Sequence, residues 1–506
     1  MLLSGPFERF VEASPVSVMM RGIIENQFHP ERLQRIFEEN AVTQYTRTLP
    51  FATVAEVMGE VVFNVNPSVN AVLKGRGETL PVSVSAFYQK LNGVEPNVSA
   101  VLVRDSATQL APVIRKLGLR TPLLRGYNIR IIDGNHFAAT EHRLLETRRE
   151  TAAPLPGQAL VVLDPDVRLA VDVIPCEDGH AQERSLLNQV LPSVRLKDLW
   201  IADRNFCTLG FLFGIARRQG RFLIRHHAGL PLQLTGRRKL IGKSDTGKVF
   251  EQSAVITDPE TGRTMTIRCI TVWLKVATRD GEQEVRILTN LSKTAADAVK
   301  VADLYRKRWS VETLFQEMTE NLTCEIKTLG YPRAAVFAFC LALMAWNGMS
   351  VIHAALRNVH GEETVEQNLS NFYMSLEIAQ VDNGMMIAIP AAEWEIFQNL
   401  TTAKLAAVLK QLAAKVSLKK FQKSKRGPKR PQPKRKYSGN GQHVATARLL
   451  ARRNNSIHTF KGLGLNLLDR LLLHQDLFRH LLAITHQYDV NLFVGPGMRY
   501  APRQQQ

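Results

Sequence analysis

Tyr305, Arg308 and Glu312 stand at i, i+3 and i+7 in the stretch YRKRWSVETLFQEMTENLTCEIKTLGYPR, residues 305–333. On a helix this spacing projects an aromatic hydroxyl, a guanidinium and a carboxylate from one face. A carboxylate beside an arginine suits a metal ion held against a phosphate. Arg308 and Glu312 at i, i+4 equally suit a plain surface ion pair. Trp309, next to Arg308, offers a ring for stacking on a base, or a packed aromatic on an amphipathic helix. The rest of the chain decides between these readings.

Two further carboxylates stand where chemistry collects in α/β proteins. From Gly126 onward the pattern changes to strands: YNIRIID (127–133), ALVVLD (159–164) and VRLAVDVI (167–174). A helical stretch at 181–191, a short strand LWIAD (199–203), a helix near 208–218 and a strand RFLIRHH (221–227) follow. The expected order is β-β-β-α-β-α-β, with Asp133 and Asp203 each at the carboxyl end of a strand, where functional groups gather in open α/β sheets. Asp164 and Asp166 also follow a strand, but a tight turn between paired strands accounts for them. Asp198 precedes its strand. His136 and Arg204 adjoin the two aspartates and are candidates for contact with nucleic acid. Three acids from distant sequence are a hard-oxygen set of the kind that binds Mg²⁺, or Mn²⁺, as a pair of ions. Such a pair activates a water or a 3′-hydroxyl and stabilises the leaving oxygen of an in-line displacement.

Charge points to the substrate. The 506-residue chain carries a net +19, with a pI near 9.9, while its apolar content of 45% is ordinary for a globular protein. A polyanion, most simply nucleic acid, is the expected partner, ahead of anionic membrane. Cys176, Cys207, Cys269, Cys324 and Cys340 are widely spaced, which fits reduced thiols in a cytoplasmic protein and neither a disulfide framework nor a zinc site. The N-terminus shows no secretion signal. Residues 334–356 are long enough and apolar enough to span a bilayer. Asn347, Ser350, His353 and many alanines within them instead predict a buried core helix and no membrane.

The length allows two to four domains. The predicted layout is a helical DNA-binding domain over 1–120, a catalytic domain over 121–375 and a helical C-terminal region over 376–506. VSVSAFYQKLN with the apolar spacing after it resembles a helix-turn-helix. Residues 228–292 are turn-rich and strand-like and are expected to be a β-rich insertion. Within them Gly236 and Gly242-Lys243-Ser244 approximate a phosphate loop but are separated by one residue too many, so a basic hairpin against nucleic acid backbone fits better. Lys415–Lys436 holds 11 basic residues, three prolines and no acid. Without it the chain still carries +19 − 11 = +8. That composition predicts a disordered arm making nonspecific phosphate contacts.

These motifs resemble those of the DDE transposases of bacterial insertion sequences, in the group with a Tyr-Arg-Glu-Lys signature. The resemblance runs over about residues 127–350. It implies a ribonuclease-H-like catalytic core with a β-rich insertion between the second aspartate and the glutamate. The family's aspartates fall in IIDGNHF as Asp133 and in IADRNF as Asp203, and its glutamate in YRKRWSVETLF as Glu312. Those three are then the catalytic residues and metal ligands. Tyr305 and Arg308 fit the signature's Tyr and Arg, which hold a phosphate beside a flipped base. The signature lysine is missing: Thr319 occupies its position, and Lys327 lies two turns further on. The implied function is cleavage at terminal inverted repeats and strand transfer into target DNA, by a homodimer on DNA. The rival is a noncatalytic DNA-binding protein, either a decayed copy or an inhibitor of transposition.

Overall fold

The computed structural model describes residues 4–118, 120–278, 281–424 and 443–453. Seven helices come first: α1 (Gly5–Ala13), α2 (Pro15–Gln27), α3 (Pro30–Asn40), α4 (Phe51–Val62), α5 (Val69–Arg76), α6 (Val84–Gly93) and α7 (Pro96–Leu117). Local chemistry sets their starts. Proline opens α2, α3 and α7, where its missing N–H costs nothing. Ser4, Ser68 and Ser83 cap α1, α5 and α6 by accepting bonds from backbone N–H groups.

Strands follow: β1 (Asn128–His136), the two-residue β2 (Pro154–Leu155), β3 (Gln158–Asp164) and β4 (Leu169–Cys176). Then come the one-turn α8 (Leu187–Val190), β5 (Asp198–Ala202), α9 (Leu209–Arg217) and β6 (Arg221–Arg225). The helix expected over 181–191 is therefore mostly 3₁₀ turns with α8 between them. Next are β7 (Gln233–Lys243), β8 (Gly247–Thr257), β9 (Thr264–Leu274) and β10 (Glu284–Thr289). The remaining helices are α10 (Ala298–Arg306), α11 (Trp309–Asn321), α12 (Pro332–His360), α13 (Glu362–Asn368), α14 (Asn371–Ala388), α15 (Ala391–Gln398) and α16 (Thr402–Lys415). A short β11 (Val444–Ala445) pairs with β2.

Nine strands form one sheet, in the order β4-β3-β1-β5-β6-β10-β9-β8-β7. β5 runs parallel to β1 and β6, and all other pairs are antiparallel. The expected β-rich stretch over 228–292 forms four strands of this sheet. β7 to β10 continue the sheet outward from β6, because β10 pairs directly with β6 through Ile287↔Arg225 to Thr289↔Leu223. The near phosphate loop lies along β7 and its hairpin to β8, with no helix after it to present N–H groups to a phosphate.

Side chains alternate across the sheet and feed two apolar clusters. Ile132, Trp200, Ala202 and Phe222 face α9, whereas Ile129, Ile131, Leu199 and Leu223 join a larger core with α7, α12 and the outer helices. α12 is buried from Ala334 to Arg357, as the reading of 334–356 as a core helix requires. Asn347 shows how its polar groups are satisfied: it accepts from Ala170 N at 2.8 Å and donates to Ala170 O at 3.0 Å and Ser106 Oγ at 2.9 Å.

This core crosses the boundary expected at residue 120. Phe7, Met19, Phe51 and Val103 pack in the same cluster as Ile131 and Phe337, so helices α1 to α7 do not enclose a core of their own. The α6–α7 hairpin exists, yet α7 is buried under β4 and α12 along Val98, Leu102, Ser106 and Leu110, and no groove of DNA reaches that face. The basic run also begins inside the fold. Lys415 ends α16, Val416 and Phe421 are buried, and Gln422 bridges to Leu369. Its remainder, 425–436, lies outside the described residues, as does most of the C-terminal helical pattern.

Candidate active site

β1 and β5 pair in parallel up to Ile131↔Ile201. Just beyond that point the two aspartates emerge. Asp133 sits on β1 where the strand has left β5 but still pairs with β3, opposite Val161. It is therefore three residues short of the strand end that the sequence suggested. Asp203 directly follows the buried run Leu199–Ala202. Its carboxylate accepts Asn205 N at 2.7 Å and opens the 3₁₀ turn Arg204–Phe206, while Asp133 Oδ1 accepts Gly134 N at 3.0 Å.

The third acid comes from a broken helix. Asp297 caps α10 by accepting Lys300 N at 2.7 Å. The chain then tightens through Lys307 N to Leu304 O and Arg308 N to Tyr305 O, both 3.0 Å, and α11 begins at Trp309. Tyr305 and Glu312 consequently belong to different helices, and the single continuous helix expected from the spacing is not present. Arg308 stands at the break. Its Nη1 donates to Asp133 Oδ2 at 2.9 Å, and its Nη2 lies 2.7 Å from Glu312 Oε1. The local ion pair exists, and a carboxylate from 175 residues away shares the same guanidinium.

The charges of Asp203 and Arg308 act on Asp133 and Tyr305. The Asp133 carboxyl is pushed up to about 7, by burial first and by the Asp203 and Glu312 charges, against the pull of Arg308 and the Gly134 N–H. The buried Tyr305 hydroxyl is pushed far above the usual phenol range and stays protonated beside Arg308. Two carboxylates, Asp133 and Glu312, share the Arg308 guanidinium, and the Asp203 charge adds to theirs at Asp133. The donor set is hard oxygen, and its negative charge exceeds what Arg308 offsets, which fits a divalent cation. In the arrangement described, Arg308 takes the place between Asp133 and Glu312. Among the described residues no three His, Cys, Asp or Glu side chains are grouped closely enough to hold a metal ion as they stand.

Several neighbours gave no signal in the sequence. Glu183, on a 3₁₀ turn, accepts Asn205 Nδ2 at 2.9 Å and approaches Gly134 so closely that a Cβ there would meet Glu183 Oε1 at 2.0 Å. It therefore touches the segments that follow both aspartates. Arg225, at the end of β6, contributes to the field at Tyr305. Glu282, from the β9–β10 loop, pairs with Arg225 and, at 3.0 Å, with Arg204. Trp309 is 61% exposed, with the Arg308 guanidinium 5.0 Å from its ring centre, so it is available for stacking and is not a core aromatic.

The competing acids fall elsewhere. Asp164 ends β3, antiparallel to β1, so it lies at the opposite end from Asp133 and pairs with Arg130. Asp166 accepts Leu123 N at 3.1 Å. Asp198 is buried and accepts Arg195 N at 2.7 Å. His136 is exposed on the β1 end. Thr319 turns its hydroxyl back to Phe315 O at 2.9 Å, a local helix bond.

Residues 124–347 match a family model described as the transposase DDE domain. No curated protein matches the chain. Among solved structures, it is similar to the piggyBac transposase synaptic complex with hairpin DNA, with 10% identity, a TM-score of 0.36, and coverage of 76% of this chain and 87% of that one.

Proposed function

We propose that this chain is a metal-dependent DDE transposase that cuts DNA at the ends of its element and joins the freed 3′-ends to target DNA. One observation carries the reading: Asp133 on β1 and Glu312 on α11 share the Arg308 guanidinium, with Asp203 following the parallel neighbour strand β5, inside the region that matches the DDE domain. The strand order β4-β3-β1-β5-β6, with the first three antiparallel and the next two parallel, supports the ribonuclease-H-like core that the resemblance implies. The partners in this reading are the terminal inverted repeats, target DNA and a second copy of the chain.

Asp133, Asp203 and Glu312 would hold Mg²⁺ or Mn²⁺, whose chemistry is to activate the attacking oxygen and stabilise the leaving one. The remaining work falls to the chain itself. Arg308, released from one carboxylate, is placed to take a strand phosphate. The protonated Tyr305 hydroxyl keeps the guanidinium in position. Trp309 offers an exposed ring to a base next to that phosphate. The Thr319 substitution favours the rival, a noncatalytic DNA-binding protein, because it removes one phosphate contact of the signature.

A nicking assay separates the two. The full chain, Mn²⁺ and a supercoiled plasmid carrying the inverted repeats that flank the gene should yield nicked product, and Asp133→Asn should yield none. Binding of the repeats without wild-type nicking would establish the rival.

A further inference from the structure

A cleft lies on the helical side, and none of Asp133, Asp203, Glu312 or Arg308 lines it. It has a volume of about 540 Å³, within the range of ligand and side-chain docking sites. α2, α4, α14 and α15 form its walls and α12 its floor, where Leu341 and Met344 are nearly buried. Met20, Ile24, Phe63 and Met386 add apolar surface.

Its charge is opposite to that of the protein. Glu25, Glu56, Glu60, Asp382 and Glu395 line it, against Arg21 and the titratable His29, in a chain of +19. Some of these acids are satisfied from within: Glu25 accepts from Arg21 and from Gln398 at 3.0 Å, and Arg76 pairs with Glu60 at 2.6 Å and with Glu56 at 3.1 Å. Asp382 is less well compensated. Burial and the Glu60 and Glu56 charges hold its carboxyl above the ordinary range despite Arg21. α14, which supplies Asp382, also leaves apolar side chains uncovered, with Ile387 87%, Phe372 51% and Leu376 37% exposed. An apolar floor, an acidic rim and an apolar flank together repel nucleic acid and attract a surface that is apolar and basic.

We propose that this cleft docks a basic amphipathic helix of a partner protein, its apolar face between α4 and α14 and its lysines or arginines against Asp382 and Glu395. A helix lying in a groove uses apolar anchors at i, i+3, i+4 and i+7, and the basic positions flanking that stripe meet the rim. The proposal is independent of the transposase reading, since none of these residues belongs to the carboxylate group.

The test uses the full chain and three labelled helical peptides of about 18 residues: an amphipathic Leu/Lys peptide, its Leu/Glu counterpart, and a Leu/Lys scramble without a continuous apolar face. Fluorescence anisotropy should show the Leu/Lys peptide binding about ten-fold or more tightly than either control. Gly59→Leu fills the cleft, because a Cβ at Gly59 meets nothing within 4 Å, and should abolish binding while leaving the melting temperature unchanged or higher. Asp382→Lys should reverse the preference toward the Leu/Glu peptide. Equal binding of the scramble, or indifference to both substitutions, overturns the proposal. Self-association of the wild type that Gly59→Leu abolishes, with no peptide bound, would make the cleft an interface between copies and overturn it as well.

Discussion

Arg308 and Asp133 meet at 2.9 Å although the carboxylate comes from a strand and the guanidinium from a break between two helices. The contact joins the sheet to the helix pair, and it brings Glu312 into the same field. Its energetic balance is uneven. Arg308 has two carboxylates to satisfy, and Asp133 remains buried with more negative than positive charge around it.

Asp133 should therefore make stability fall as pH rises. In the folded state its carboxyl titrates at about 7, whereas in the unfolded chain an aspartate titrates near 3.9. Between those values the native state holds a proton that the unfolded state has lost, so folding weakens toward pH 7. Asp133→Asn removes this titration. Urea unfolding should find it about 1–3 kcal/mol more stable than wild type at pH 8, with the gap smaller at pH 5 and closed below about pH 4. Saturating Mn²⁺ should close the gap by stabilising only the wild type.

Asp203→Asn and Glu312→Gln each remove a carboxylate of the proposed metal site without disturbing a core. Nicking should drop by about three orders of magnitude or more, with duplex affinity changed by less than about two-fold. Residual nicking near the wild-type rate in either variant would remove that residue from the metal site.

Arg308→Gln acts on charge and substrate together. Loss of the one cation shared by Asp133 and Glu312 should destabilise the protein at pH 8 by about 2 kcal/mol. The nicking rate should fall about a hundred-fold through the lost phosphate contact. An unchanged rate with reduced stability would leave Arg308 as a structural ion pair alone.

Arg268 anchors the segment that leads into α10. It pairs with Glu251 at 2.9 Å and donates to Leu291 O at 3.1 Å and Ala296 O at 2.9 Å, tying β8 and β9 to the segment that leads into α10. Arg268→Met leaves a buried carboxylate and two carbonyls with fewer donors, and should cost about 3 kcal/mol. A loss below about 1 kcal/mol in thermal denaturation would show that water replaces the guanidinium.

Asn347→Leu tests how α12 is held. The substitution keeps the helix apolar but strands Ala170 N and O, so about 2–4 kcal/mol should be lost. Hydrogen exchange at Ala170 should accelerate before that of neighbouring β4 amides.

Much of this protein was readable in the chain. The buried run LWIA followed by Asp203, and the alternation leading to Asp133, place acids beyond strand cores because apolar side chains must alternate inward and a carboxylate cannot follow them there. Arg308 and Glu312 were legible as a pair because four residues separate them.

Tertiary structure decided what sequence spacing could not. The helix breaks at Arg308, and Asp133 captures the guanidinium from across the fold, a contact between residues whose separation carries no periodic signal. Glu183 and Glu282 reach the site from a 3₁₀ turn and a loop, where no pattern marks them. α1 to α7 share one core with the sheet because α12 is apolar on all sides and needs partners around its whole circumference, which a local reading divides into separate helical domains. Backbone pairing likewise turned the expected insertion into four more strands of one sheet, since the open edge of β6 offered hydrogen bonds that β10 could complete.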